Sequence, residues 1–150
     1  MSTSKISLRL SGNLPPADEL THNLGITPTK VLRRGDSLSK KRVQPVDIWS
    51  LELAKFDSES PKQEIDNQMQ QAAIILQQMA PVLATLDRTN CNTDLYISTI
   101  REEDQGGLSL PPELVAATAA SGLSIQISIL VMLDDYEEPQ QESVLSTTAY

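Results

Sequence analysis

The chain has 150 residues, a formal net charge of −8, one cysteine and one histidine. A single cysteine excludes an intrachain disulfide, and one cysteine with one histidine falls short of the three or four ligands a zinc site of the usual kind needs. The length suits one domain that buries most of its apolar surface. The aromatic side chains are Trp49, Phe56, Tyr96, Tyr136 and Tyr150, so the core must be chiefly aliphatic.

Lys5 to Leu10 alternates, with Ile6, Leu8 and Leu10 on one face and Ser7 and Arg9 on the other, as in a half-buried strand. Pro15-Pro16 opens a short helix with Ala17, Leu20 and Leu24 inward and Gly25 as its stop. Lys30 to Arg34 suits a strand, Gly35-Asp36 a turn, and Ser37 to Pro45 a polar, basic and mobile stretch. Asp47 to Leu53 reads as a strand with Trp49, Leu51 and Leu53 on one face.

Ser60 to Asn90 is the organising stretch. Ile65, Met69, Ala72, Leu76, Met79, Leu83 and Leu86 recur at steps of four and three, which makes one apolar stripe on a long helix. Ser60, Pro61 and Gln63 suggest a capping box at its start, and Asn90 suits its end. Pro81 predicts a kink or a break. The stripe also fits a coiled-coil seam, which would make a homodimer, although packing on the protein's own sheet is favoured.

Asp94 to Ile100 is apolar on both faces, like a central strand. Arg101 to Gly107 is a charged loop, and Pro111-Pro112 opens a second short helix that Gly122 stops. Leu123, Ile125, Ile127, Ile129 and Val131 alternate with Ser124, Gln126 and Ser128 in the cleanest strand pattern of the chain. The expected architecture is α+β: a mainly antiparallel sheet covered by one long helix, with a ferredoxin-like β-α-β-β-α-β core and an appended helix and strand. Residues 1–133 form one domain in this reading, and residues 134–150 an acidic disordered tail.

The opening strand is followed by Leu24-Gly25-Ile26-Thr27-Pro28-Thr29, Arg34-Gly35-Asp36, Trp49-Ser50-Leu51, Gly106-Gly107-Leu108-Ser109-Leu110, Pro112-Glu113-Leu114 and Gly122-Leu123-Ser124. In this order and spacing these marks resemble a bacterial family, domain-of-unknown-function family 4279. The resemblance covers about residues 5 to 131 and implies a small bacterial α+β domain. It supplies no reaction and no catalytic residues.

Charge is segregated. Lys30, Arg33, Arg34, Lys40, Lys41 and Arg42 are interrupted only by Asp36, and no lysine or arginine follows Arg101. Trp49, Gly106 and Gly107 join these six as the candidate binding surface. A Cys91–His22 pair or a Ser-His-Asp set lacks any surrounding motif, and Glu102, Glu103 and Asp104 lack the spacing of a calcium loop. No cofactor or metal is expected, and no catalytic residue stands out. Enzymatic activity is left open, with the balance against it.

The function expected is a non-catalytic macromolecule-binding module with a protein partner. One alternative is an immunity or antitoxin-like protein that neutralises a basic enzyme; another is a carboxylate-dependent hydrolase or transferase. Overall acidity and a lack of aromatics among the cations argue against nucleic acid. No apolar run reaches the ~20 residues of a membrane span, and the opening residues lack a signal peptide's apolar region, so a cytoplasmic location is expected. An acidic tail folded over the basic segment is weighed against a tail that is merely a solubilising extension, and the latter is favoured.

Overall fold

The alternating and stripe patterns need each other, because a strand row and a helix stripe are both apolar on one side only. In the computed structural model, which describes residues 2–102 and 106–132, they meet in one core. The expected tail, and Glu103 and Asp104, lie outside the described residues.

The elements in chain order are β1 (Thr3–Gly12), α1 (Ala17–Leu24), β2 (Lys30–Leu32), β3 (Ser37–Ser39), β4 (Arg42–Val43) and β5 (Asp47–Asp57). They continue with α2 (Lys62–Leu83), β6 (Cys91–Arg101), α3 (Pro112–Ala120) and β7 (Ser124–Val131). The main sheet has five strands in the order β2-β5-β1-β6-β7, and β3 and β4 form a separate two-stranded hairpin. β1 is antiparallel to β5 and β6, and β2 to β5; only β7 runs parallel to its neighbour, β6.

The chain leaves β1 through α1 to β2, with β5 between those strands. It then leaves β5 through α2 to β6, with β1 between them. These two interlocked split β-α-β units are the ferredoxin-like core, and α3 with β7 is the appended helix and strand.

Cross-strand partners share a face. Leu8 and Leu10 of β1 stand opposite Leu51 and Trp49 on one side, and Ile6 and Leu8 stand opposite Ile97 and Leu95 on the other. α2 covers this row with Met69, Ala72, Ala73, Leu76, Met79 and Leu83, all buried, while Ile65 and Leu86 are partly buried. A fully buried Leu or Met contributes about 1.5–3 kcal/mol, so this stripe is the main support of the sheet.

The expected row of β5, Trp49, Leu51 and Leu53, is buried in the core, but the alternation is interrupted at Leu53. Ser7 pairs with Glu52 and Ile6 with Ala54, so Leu53 is an extra residue in a β-bulge. Beyond it, Ala54 and Phe56 take the helix-facing row, which lets the strand run to Asp57.

The long helix is shorter than the sequence suggests. It runs unbroken through Pro81 and ends at Leu83, a span of roughly 33 Å at ~1.5 Å per residue. Ser60 does not cap it. Its hydroxyl accepts from the Asp57 N–H at 3.1 Å and donates to Asp57 Oδ1 at 3.3 Å, so it holds the turn after β5, and Pro61 occupies the cap position. Both short helices begin after a proline and are followed by a left-handed glycine, Gly25 (φ 74°) and Gly122 (φ 71°). No helix among the described residues is long and apolar enough to cross a membrane.

Candidate functional site: a basic arm and an arginine groove

The six candidate cations fall on one structure, the β2 edge and the hairpin after it. Asp47, at the start of β5, holds its base. Asp47 Oδ1 accepts the Arg34 N–H at 2.8 Å, and Oδ2 accepts the Leu14 N–H at 3.2 Å. The Arg33 guanidinium reaches Oδ1 at 3.6 Å and the Pro15 carbonyl at 3.4 Å. The Arg34 N–H bond is the main cause of a depressed Asp47 pKa; the Leu14 N–H and the charges of Arg33 and Arg34 assist, and desolvation opposes them.

A second carboxylate closes the arm. Asp36 Oδ2 accepts the Arg33 N–H at 2.8 Å, while the backbone pairs Gly35 N–H to Gln44 O at 2.9 Å and Gln44 N–H to Asp36 O at 2.8 Å. Gly35 takes φ 93° there, a conformation that favours glycine. Gln44 is buried and donates its amide to the Val46 carbonyl at 2.9 Å.

Beyond this base every residue of β3, its turn and β4 is exposed. Lys40, Lys41 and Arg42 stand at the tip without an ion-pair partner among the described residues, and Leu38 and Val43 are exposed beside them. Lys30 is exposed on β2, opposite Ser50.

The other candidates are elsewhere. Trp49 is wholly buried in the core, where its indole N–H donates to the Thr21 hydroxyl at 3.3 Å. Gly106 and Gly107 lie beside Arg101, Ser2 and Phe56, at the opposite end of β1 and β5 from the arm. A side chain at Gly106 would collide with the Arg101 guanidinium.

A polar groove lies on the sheet face away from α2. Arg9 Nη2 donates to Asp94 Oδ2 at 3.2 Å and to Gln126 Oε1 at 2.8 Å, and the guanidinium carbon sits 4.0 Å from the centroid of the Tyr96 ring. Its Nε is buried without a partner among the described residues. Arg9, Arg88, Asn92, Asp94 and Ser124 line a cleft of about 490 Å³. Alternation alone places Arg9 on this face, but the strand order that brings Asp94 and Gln126 to it is not written in any one strand.

Cys91 borders the same cleft and is buried. Desolvation, aided by the negative charge of Asp87, pushes its thiol pKa up, and Sγ donates to the Asn13 carbonyl at 3.4 Å. It is a protonated packing residue and not an activated thiolate. His22 is exposed on α1. Among the described residues no three His, Cys, Asp or Glu side chains cluster closely enough to hold a metal ion.

No curated protein and no solved structure matches the chain. Residues 2–132 do match a family, the domain of unknown function DUF4279, and this match spans every element from β1 to β7. With most of its length covered, the chain belongs to the DUF4279 family.

Proposed function

We propose that this domain is a macromolecule-binding module that docks an acidic protein on the arm formed by β3, β4 and their turn. One observation carries the reading: three adjacent cations, Lys40, Lys41 and Arg42, are held out on a fully exposed hairpin whose base is fixed by two carboxylates. In a chain of net charge −8, that tip is a local positive site set apart from the acidic remainder. A cationic patch of this kind steers an acidic partner during encounter and fixes its orientation.

The base is organised before any partner arrives, so less ordering free energy is spent on binding. Exposed Leu38 and Val43 beside the cations offer apolar contact that suits a protein surface. The arm has no aromatic residue on which a base could stack, which favours protein over single-stranded nucleic acid.

The test is a comparison of the wild-type chain with the triple reversal Lys40→Glu, Lys41→Glu, Arg42→Glu. Each is immobilised and exposed to extract from the source cells, and the recovered protein is then titrated in isolation. An acidic protein should bind the wild type with salt-sensitive affinity and bind the reversal at least about tenfold more weakly. A partner that binds both alike, or recovery of nucleic acid alone, refutes the reading.

A further inference from the structure

β7 ends the sheet, and nothing among the described residues pairs with its outer edge. All eight of its residues are exposed. Yet Ile125, Ile127 and Ile129 stand level with Leu95, Ile97 and Thr99, the helix-side row of β6. Leu95 and Ile97 are buried, whereas Ile127 and Ile129 are 59% and 63% exposed, because the helices stop short of the last strand. Edge strands are usually protected by a charge, a proline or a bulge. Residues 123–132 contain no charge and no proline, and the β6–β7 register runs without a shift.

We infer that β7 pairs antiparallel with β7 of a second copy of this chain, about a two-fold axis at Ile127, so that two five-stranded sheets become one. The surface is independent of the basic arm and does not rest on the function proposed above.

The sequence is self-complementary about that axis. Ile127 faces its own copy, Ile125 faces Ile129, and Leu123 faces Val131, so one side of the seam is aliphatic throughout. On the other side Gln126 faces Ser128, and Ser124 faces Leu130. An isologous contact needs this property, since each residue must suit its partner in both directions.

Charge selects the same occupant and the same direction. Two chains of net charge −8 repel, but this strand brings no charge to the seam. Acidic residues begin at Asp134, just beyond Met132. Antiparallel pairing at Ile127 sets the two Met132 residues roughly 33 Å apart, at ~3.3 Å per residue, which far exceeds the ~8 Å screening length. Parallel pairing would lay the two acidic segments side by side. A fold-back of the chain's own residues 133–142 would set five carboxylates and Pro139, which lacks an N–H, against the apolar edge.

Sedimentation equilibrium on the full chain gives the first readout. The wild type should be a dimer and Ile127→Lys a monomer, with the same circular dichroism and, once the wild type is diluted to monomer, the same thermal midpoint, since Ile127 is a surface residue of the single copy. Cross-linking gives the second, and it holds even if the lysine variant misfolds. In a Cys91→Ala background, Ile127→Cys should form a disulfide dimer on mild oxidation. Opposed Cα atoms of an antiparallel pair lie ~4.5–5.5 Å apart, within disulfide reach. Ser124→Cys should stay monomeric on a denaturing gel, because its two copies would be roughly 20 Å apart. A wild type that is monomeric up to about 100 µM, a dimer that survives Ile127→Lys, equal cross-linking at both positions, or dimerisation only after removal of residues 133–150 would each overturn the inference.

Discussion

Arg88 Nη2 lies 3.0 Å from the carbonyl oxygen of Ser121, and this hydrogen bond ties the end of α2 to the end of α3. The same nitrogen donates to the Leu83 carbonyl at 2.7 Å, while Nη1 donates to the Gly122 carbonyl at 2.7 Å and to the Thr93 hydroxyl. The last carbonyls of a helix have no partner within it, and a cation there also meets the negative end of the helix dipole. One guanidinium therefore serves two helix ends and the entry to β7. Glycine at 122 leaves room for it: with φ 71°, a Cβ there would sit 2.9 Å from Arg88 Nη2.

Arg88→Ala should destabilise the fold by about 1.5 kcal/mol, the low end of the ~1.5–3 kcal/mol range for hydrogen bonds made by a charged group, because Arg88 is exposed. Arg88→Lys should recover only a minor part, because one ammonium cannot reproduce a fork aimed at carbonyls on two helices. Urea denaturation at constant pH measures both. A lysine variant as stable as the wild type would show that charge alone makes the joint.

Gly12 and Gly107 offer a paired test of backbone demand. Gly12 ends β1 with φ 114°, and a Cβ there would come 2.5 Å from the Asn90 carbonyl oxygen, next to the Asn13 N–H bond to that oxygen at 3.0 Å. Gly107 has nothing within 4 Å of its added Cβ and no left-handed φ. Gly12→Ala should therefore cost more than about 1 kcal/mol, and Gly107→Ala should be neutral or slightly stabilising. Differential scanning calorimetry distinguishes them; equal midpoints would remove the claim that the turn between β1 and α1 requires glycine.

The alternation of Ile6, Leu8 and Leu10 in β1 and the stripe of α2 at steps of three and four are legible because each is apolar on one side, and β6 because Asp94 to Ile100 is apolar on both faces. The element order then leads to the ferredoxin-like plan, since few chain paths satisfy it. What stays hidden is set by contacts far apart in sequence. The bulge at Leu53 is legible only once β1 is known to pair with β5. Ser60 looks like a helix cap until Asp57 is seen to take its hydroxyl. Arg88 looks like any surface cation after a helix, because its partners come from α2, α3, β6 and the start of β7. The alternation of β7 reads as a half-buried strand, and only the extent of the helices shows that its isoleucines are left open. At the candidate site the cations were legible as a run, whereas the Arg9 groove needed the strand order.

Asp47 predicts how stability depends on pH. Its carboxylate accepts two backbone N–H groups, those of Arg34 and Leu14, and stands beside the Arg33 guanidinium. These interactions favour the ionised form and hold its pKa below the ordinary value of 3.8. A carboxyl whose folded-state pKa is depressed stabilises the fold above the unfolded value. That contribution is lost as pH falls through the folded-state pKa. In Asp47→Asn the amide oxygen can still accept one N–H, but the amide nitrogen must face the other donor. At pH 7 the variant should lose about 1–3 kcal/mol, as expected when a buried donor is left unmatched. As pH drops below 3.8 the wild type loses its ionised acceptor, so the gap between the two proteins should narrow. Because Asp47 fixes the base of the arm, the variant should also shift the amide signals of Leu14, Arg33 and Arg34 at neutral pH. Urea denaturation from pH 7 down to pH ~3, with amide spectra at the upper end, measures both effects. A stability gap that stays constant across that range would mean that Asp47 acts through packing and not through its charge.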